Sequence, residues 1–288
     1  MGIGVQIAVI ICLFALGAVI GSFLNVCIYR LPEGGSLWWP GSHCPQCKHP
    51  IRWYDNVPIV SYILLRGRCR DCRARISPQY LIVESLTGAL FALLAVTFLS
   101  RGEPIPCTVI YLTLACVLIV ASFIDLKYMI IPDELTITGM VLAPILSLIF
   151  PALHEFSGAR RHAEAIFANA HLNGLVHSLI GMVAGAGFIY MMRVLGGLLF
   201  RREAMGWGDV KFMGMIGGIF GWKLVMLTNL IAPVYGAIVG LILMAAKGEH
   251  QIPYGPFLSM SAVTVMLWGP HMILWIQLHY LPLYQMSG

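Results

Sequence analysis

The sequence predicts an all-α polytopic membrane protein of about eight transmembrane helices, interrupted once by a small cysteine-paired cytoplasmic module. Three observations carry that expectation. Of 288 residues, 59% are hydrophobic and only 11% charged, at a mean hydropathy of +0.83, whereas soluble domains carry about 25% charged residues. Apolar runs of about 20 residues, the length a helix needs to cross a bilayer, recur along nearly the whole chain. The basic residues also fall on alternate loops, as the positive-inside rule requires. This composition excludes a water-soluble enzyme, a disordered chain, a collagen and a small disulfide scaffold.

Taken in order, the full-length apolar runs lie near 4–29, 80–99, 107–124, 135–153, 173–199, 225–246 and 256–281. An eighth, at 210–222, has only 13 residues; as a helix it reaches about 20 Å. It is either a short span in thinned membrane or a re-entrant segment. The first run is not a cleaved secretory signal, because 1–11 has no basic start and no small-residue cleavage site closes the run. Positive charges follow it instead, from Arg30 to Arg75, which places 31–79 in the cytoplasm and the N-terminus outside. Threading eight spans from there puts thirteen of the 18 basic residues inside and leaves Arg101, Arg160, Arg161 and Lys223 outside, with Arg193 within a span. The net charge of +5 is thereby explained by topology, and no support remains for a nucleic-acid partner. The chain divides into a first transmembrane helix (1–30), a cytoplasmic module (31–79) and a multi-helix membrane domain (80–288). His154, His162, His171 and His177 cluster around a polar outer loop, but their spacings match no metal motif, so they read as a solvated loop.

Within the module, Cys44-Pro-Gln-Cys47 and Cys69-Arg-Asp-Cys72 form two CxxC pairs separated by 21 residues. Such turns present four thiolates that can close a tetrahedron around Zn²⁺. A reducing cytoplasm disfavours structural disulfides, and a module of this size gains from a metal the stability its core lacks. Four free cysteines or a redox pair are the competing readings. With four protein ligands the site would be closed, hence structural. Cys12, Cys27, Cys107 and Cys116 sit in apolar spans and read as packing.

Only 13 residues are acidic, and ionisable groups within or beside spans are costly enough to have a task. Asp125 closes one apolar run. Asp209 lies in Gly206-Trp-Gly-Asp209, where the next apolar segment begins, at a comparable depth on the cytoplasmic side. Two facing carboxylates cannot both ionise cheaply. One can then activate water while the other protonates a carbonyl oxygen, as aspartic proteases do. The competing readings are an N-cap for Asp209 and an ion pair with Lys127 or Arg202 for Asp125. Asp133, after Pro132 and before Glu134, reads as a helix start. Glu84, four residues into a span, pairs with a basic residue of the module or assists the site. Gly17-x-x-x-Gly21 and the glycines of 181–187 read as close helix packing.

At these residues the sequence resembles the type IV prepilin peptidases, the bifunctional leader peptidases and N-methyltransferases of bacterial pilus and type II secretion systems. The resemblance is carried in order by Gly21-Ser-Phe-Leu-Asn-Val26, Tyr29-Arg-Leu-Pro32, Ser42-His-Cys-Pro-x-Cys47 and Trp53-Tyr-Asp-Asn-Val-Pro58. Leu65-Arg-Gly-x-Cys-Arg-x-Cys72 follows, then Ile76-Ser-x-x-Tyr80 leading to Glu84, Asp125 with Pro132-Asp133, and Gly206-x-Gly-Asp209-x-Lys211. The GxGD tetrapeptide alone is weak; the ordered set is specific. The resemblance implies a GxGD-type aspartyl peptidase in the inner membrane with Asp125 and Asp209 as the catalytic pair. It also implies a zinc-binding module on Cys44, Cys47, Cys69 and Cys72, and prepilins and pseudopilins as substrates. S-adenosylmethionine is the implied methyl donor for the new N-terminal residue. Nothing in the spacing derives the methyltransferase, because no Gly-rich loop in a βαβ setting is present. A proton-coupled transporter using the same aspartates, or a non-enzymatic assembly factor, are the alternatives; the acids lie at one edge rather than at the midplane between repeats, which speaks against transport.

Overall fold

The computed structural model describes residues 3–154, 166–200, 205–247 and 252–280. Among them there is no β-strand, only two isolated bridges, His43 with Pro50 and Arg68 with Arg75. The helices are α1 (Ile3–Arg30), α2 (Val60–Leu64), α3 (Gln79–Ser100), α4 (Ile105–Tyr128), α5 (Asp133–Ile149), α6 (Ala170–Phe200), α7 (Trp207–Lys247) and α8 (Gly255–Tyr280). The expected all-helical membrane architecture holds. Six of these helices, α1, α3, α4, α6, α7 and α8, are long and apolar enough to cross a membrane. The other two of the eight apolar runs fall in α5 and in the first part of α7. Helix α5 has only 17 residues, because the chain turns at Phe150 into a short 3₁₀ segment at Pro151–Leu153. The runs 210–222 and 225–246 lie in the two parts of α7, which meet at a kink where Gly221 takes φ 73° and ψ 172°.

Chain contacts divide the molecule into two units, Met1–Thr97 with Leu112–Ile124, and Phe98–Tyr111 with Asp125–Gly288. In the first, α1 and α3 approach almost backbone to backbone. A β-carbon on Gly17 would stand 2.7 Å from Cβ of Phe91, and one on Gly21 would stand 2.8 Å from Cα of Glu84. Without a hydrophobic drive inside lipid, such close approach is what holds helices together, as the Gly17–Gly21 spacing predicts. Asn25, buried on the same face, donates to the carbonyls of Gly21 and Tyr80, both at 3.3 Å.

In the second unit, α6 and α7 cross through glycines. A β-carbon on Gly181 or Gly217 would run into the other's carbonyl oxygen, and one on Gly185 into that of Met213. Gly187 faces open space and takes no part. The outer histidines depart from the expected solvated loop, although His162 lies outside the described residues. Helix α6 begins at Ala170 and carries His177 inward, where its ring lies 6.1 Å from that of His154. His154 shares a 2.9 Å hydrogen bond with Ser147 and abuts the break at Gly221. Burial, then the charge of His177, pushes its imidazole down to about 3. His171 remains exposed, hydrogen-bonded to the carbonyl of Leu148.

Candidate functional site

Three helix ends of the second unit converge on two carboxylates. Asp125 occupies the last turn of α4, which terminates when Met129 adopts φ 55° and its N–H returns to the Asp125 carbonyl. The side chain, 6% exposed, leaves its own helix and accepts a 2.8 Å hydrogen bond from the N–H of Gly255, the first residue of α8. A β-carbon at Gly255 would stand 2.7 Å from the same carboxylate oxygen, so only glycine admits this approach. The carboxylate therefore rests on the positive end of α8's dipole rather than on the negative end of α4.

Asp209 is the third residue of α7 and reaches back to the N–H of Gly206, 3.1 Å away, in one half of a capping box. It is thus a first-turn acid, not the N-cap itself. The start of α7 is held through Trp207 by two residues of α6. Tyr190 lies 5.7 Å from that ring and the Arg193 guanidinium 4.7 Å above it, while Arg193 also holds the carbonyl of Met205. Buried Ile131, in the turn after α4, links the two carboxylate sites. Its side chain sits 3.2 Å from a β-carbon placed on Gly208 and 3.3 Å from one placed on Gly255. Asp125 and Asp209 are close enough to interact electrostatically. Tyr254 lines the same corner; burial, and then the charge of Asp209, push its phenol up to about 12.

The neighbouring acids have other partners. Asp133 starts α5, as expected, and both its oxygens lie 2.8 Å from the Lys211 ammonium on α7. Glu84 belongs to the first unit, and of its two expected roles the pairing with a basic residue of the module is not made. It accepts a 2.7 Å hydrogen bond from the N–H of Ile59. Lys127, offered as a partner for Asp125, instead lies over the Tyr128 ring at 4.8 Å; Arg202 lies outside the described residues. Sequence reasoning missed Tyr254 and Gly255. The segment Pro253-Tyr-Gly-Pro256 was their only signal, since turn formers before an apolar run mark a tight helix start.

In the module, the four cysteine sulfurs lie within 4.8 Å of one another, Cys44 and Cys72 at 3.8 Å. Tetrahedral zinc with bonds of about 2.3 Å separates its sulfurs by about 3.8 Å, so the donor set fits such an ion. The two turns repeat one backbone design. Cys44 and Cys69 each donate to the carbonyl five residues on, at His49 and Ala74. Each also accepts from the residue four on, Lys48 and Arg73, both with positive φ. Hydrogen bonding from the Cys47 N–H brings the Cys44 thiol down to about 7, which favours the thiolate a metal requires. Nearby, Arg70 grips both oxygens of Asp55 at 2.6–3.0 Å and holds that carboxyl below its usual range.

Comparison with known proteins agrees with this two-part construction. Residues 15–98 match the family described as Bacterial Peptidase A24 N-terminal domain, and residues 112–241 match the Type IV leader peptidase family. A prepilin leader peptidase/N-methyltransferase of Aeromonas hydrophila is 33% identical, with 93% of each chain covered. That of Myxococcus xanthus is 35% identical over 82% of this chain and 64% of its own. That of Pseudomonas aeruginosa is 31% identical, with 91% of each covered. No solved structure matches the chain. The chain belongs to the type IV leader peptidase family.

Proposed function

We propose that this member of the type IV leader peptidase family is a membrane aspartyl endopeptidase that removes the leader of prepilins and pseudopilins and then N-methylates the residue it exposes. The observation that carries the peptidase reading is the placement of Asp125 and Asp209 at one corner, two carboxylates on different helix ends, each fixed by a backbone N–H and bordered by Ile131. In this mechanism one carboxylate takes a proton from water as it attacks the scissile carbonyl. The other, protonated, gives its proton to the carbonyl oxygen, and the tetrahedral species collapses with proton transfer to the leaving amine. General acid–base catalysis of this kind contributes about 10²–10⁴-fold, so each member is indispensable.

The four cysteines Cys44, Cys47, Cys69 and Cys72 hold a structural Zn²⁺, which fixes a module whose aromatic side chains Trp38, Trp39 and Trp53 are largely exposed. S-adenosylmethionine supplies the methyl group. The chain divides functionally into the anchoring helix 1–30, the module 31–79 and the peptidase part 80–288. In the bacterial inner membrane, the run of basic residues from Arg30 to Arg75 keeps the module and both aspartates on the cytoplasmic side, where the prepilin leader lies.

Mass spectrometry of a purified prepilin incubated with the detergent-solubilised protein tests this. The wild type is expected to remove the leader, and to add one methyl group only when S-adenosylmethionine is present. Cleavage that persists in both Asp125→Asn and Asp209→Asn would exclude the dyad, and an uncleaved prepilin with wild type would exclude the peptidase.

A further inference from the structure

We propose that the module is anchored on the membrane surface at two points, the Trp38–Trp39 turn and helix α2, and that it takes anionic phospholipid headgroups there. This rests on the membrane placement above and is independent of the peptidase and methyltransferase readings. Depth along α1 locates both points. The helix has 28 residues, about 42 Å, against a hydrocarbon core of about 30 Å. A span of about 20 residues starting at Ile3 closes at Ser22. Phe23 therefore stands at the inner edge of the hydrocarbon, and Arg30 about 10 Å above it. Helix α3 shares this level through Glu84, whose Cα would stand 2.8 Å from a β-carbon on Gly21. The module returns to the same level twice: the Trp38 ring lies 6.4 Å from that of Phe23, and the Ile59 N–H meets Glu84.

The first return is built by Arg30. Gly34 takes φ 64°, and the N–H of Gly35 comes back to the Arg30 carbonyl at 2.9 Å. The Arg30 guanidinium then donates to the carbonyls of Ser36 and Pro40, at 2.8 and 2.5 Å. The Ser36 hydroxyl accepts from the N–H groups of Trp38 and Trp39, both at 3.3 Å. The chain is thus folded back along α1, and the two indoles it presents are 86% and 79% exposed. The boundary between headgroups and hydrocarbon is where an indole, apolar with one N–H, is favoured.

The second return carries a helix turned inside out. Ile59, a β-branched residue held at φ 63°, leads directly into α2. Ser61 points inward, donating to the Tyr54 carbonyl at 3.0 Å and accepting from the Val57 N–H at 3.1 Å. Val60, Ile63 and Leu64, spaced i, i+3, i+4 on one face, point outward, Leu64 with 75% exposure. A helix facing water buries such a face; one lying at a membrane surface turns it to the acyl chains. Charge supports the same occupant. Residues 31–79 hold seven basic and three acidic side chains, an excess that draws anionic headgroups and disfavours a cationic peptide.

Photocrosslinking of the full-length protein in vesicles of phosphatidylcholine mixed equally with phosphatidylglycerol tests the anchor. The photoreactive amino acid p-benzoylphenylalanine is placed singly at Trp39, at Leu64, or at Leu16, an exposed position within the α1 span, and adducts are read by mass spectrometry. Phospholipid adducts are expected at all three positions. At Trp39 and Leu64 they should be enriched about 5-fold in phosphatidylglycerol over the ratio found at Leu16. Lipid adducts at Leu16 alone, or adducts at Trp39 and Leu64 to a second copy or to an added prepilin, would overturn the anchor and leave the spans intact. An equal lipid ratio at all three positions would overturn the headgroup preference. Absence of lipid adducts even at Leu16 would remove the membrane placement itself.

Discussion

Cys44 meets Cys72 across 28 positions of chain, and each cysteine pair is shaped by hydrogen bonds reaching no more than five residues along it. Asp125 meets Gly255 across 130, and its relation to Asp209 exists only once three helices have ended or begun in one place. The module is a local design repeated twice, with exposed aromatics around it and four sulfurs grouped as a metal would need them. The aspartate site is the product of the membrane fold, held by glycine contacts that a single methyl group would break. Disturbing the first should therefore act on metal and local order, and disturbing the second on chemistry.

The largest effect is expected from Asp125→Asn or Asp209→Asn, each lowering the rate of leader removal by about 10³-fold. Metal analysis of the same preparations should still give one zinc per chain, because neither residue belongs to the module. A dyad variant that lost its metal would merge the two regions into one. On the other side, Cys44→Ser or Cys72→Ser should abolish metal binding and open 31–78 to limited proteolysis, as apo zinc modules unfold. The pH sign follows from Cys44. Hydrogen bonding lowers its thiol, and every ligand thiol must lose its proton to bind, so apparent zinc affinity should fall as pH drops. Competition with a coloured chelator between pH 6 and 8 reads this, and a flat profile would contradict it.

A smaller effect is expected at Gly255, where Ala would push Asp125 off the start of α8. The rate should fall about 10- to 100-fold with little change in KM, since displacement of a catalytic group by about 1 Å costs of that order. An unchanged kcat would show that the α8 contact does not aim the carboxylate. Least of all should Asp133→Asn matter. Its pairing with Lys211 is largely solvent-exposed, and such pairs contribute about 0–1 kcal/mol. A kcat change within about 3-fold is expected, and a loss comparable to that of Asp125→Asn would promote Asp133 to the mechanism.

The same contrast sets what could be read from the residues alone. The CxxC pairs announce themselves, because their chemistry depends on neighbours a few positions away. The helices are equally visible as apolar runs, and the Gly17–Gly21 and Gly181–Gly185 spacings point to their contacts. Asp125 and Asp209 stand out as rare charges at the edges of apolar segments, but what fixes them does not. Gly255 looks like a loop glycine until α8 is seen to begin there, and Tyr254 like an ordinary interfacial aromatic. His154 and His177 look solvated because the sequence does not show that α6 starts early and that Gly221 leaves a gap for an imidazole. Glu84 looks as if it needs a cation, whereas a strained backbone N–H satisfies it.

Leader removal by a dyad requires Asp125 and Asp209 to work as one unit, and a double-mutant cycle on prepilin cleavage tests that directly. Initial rates would be measured for wild type, Asp125→Asn, Asp209→Asn and the double variant at saturating substrate. Groups that act together are non-additive, so the double variant should be no slower than the slower single one. Losses that instead multiply, or a single variant that keeps near wild-type rates, would contradict a shared catalytic dyad.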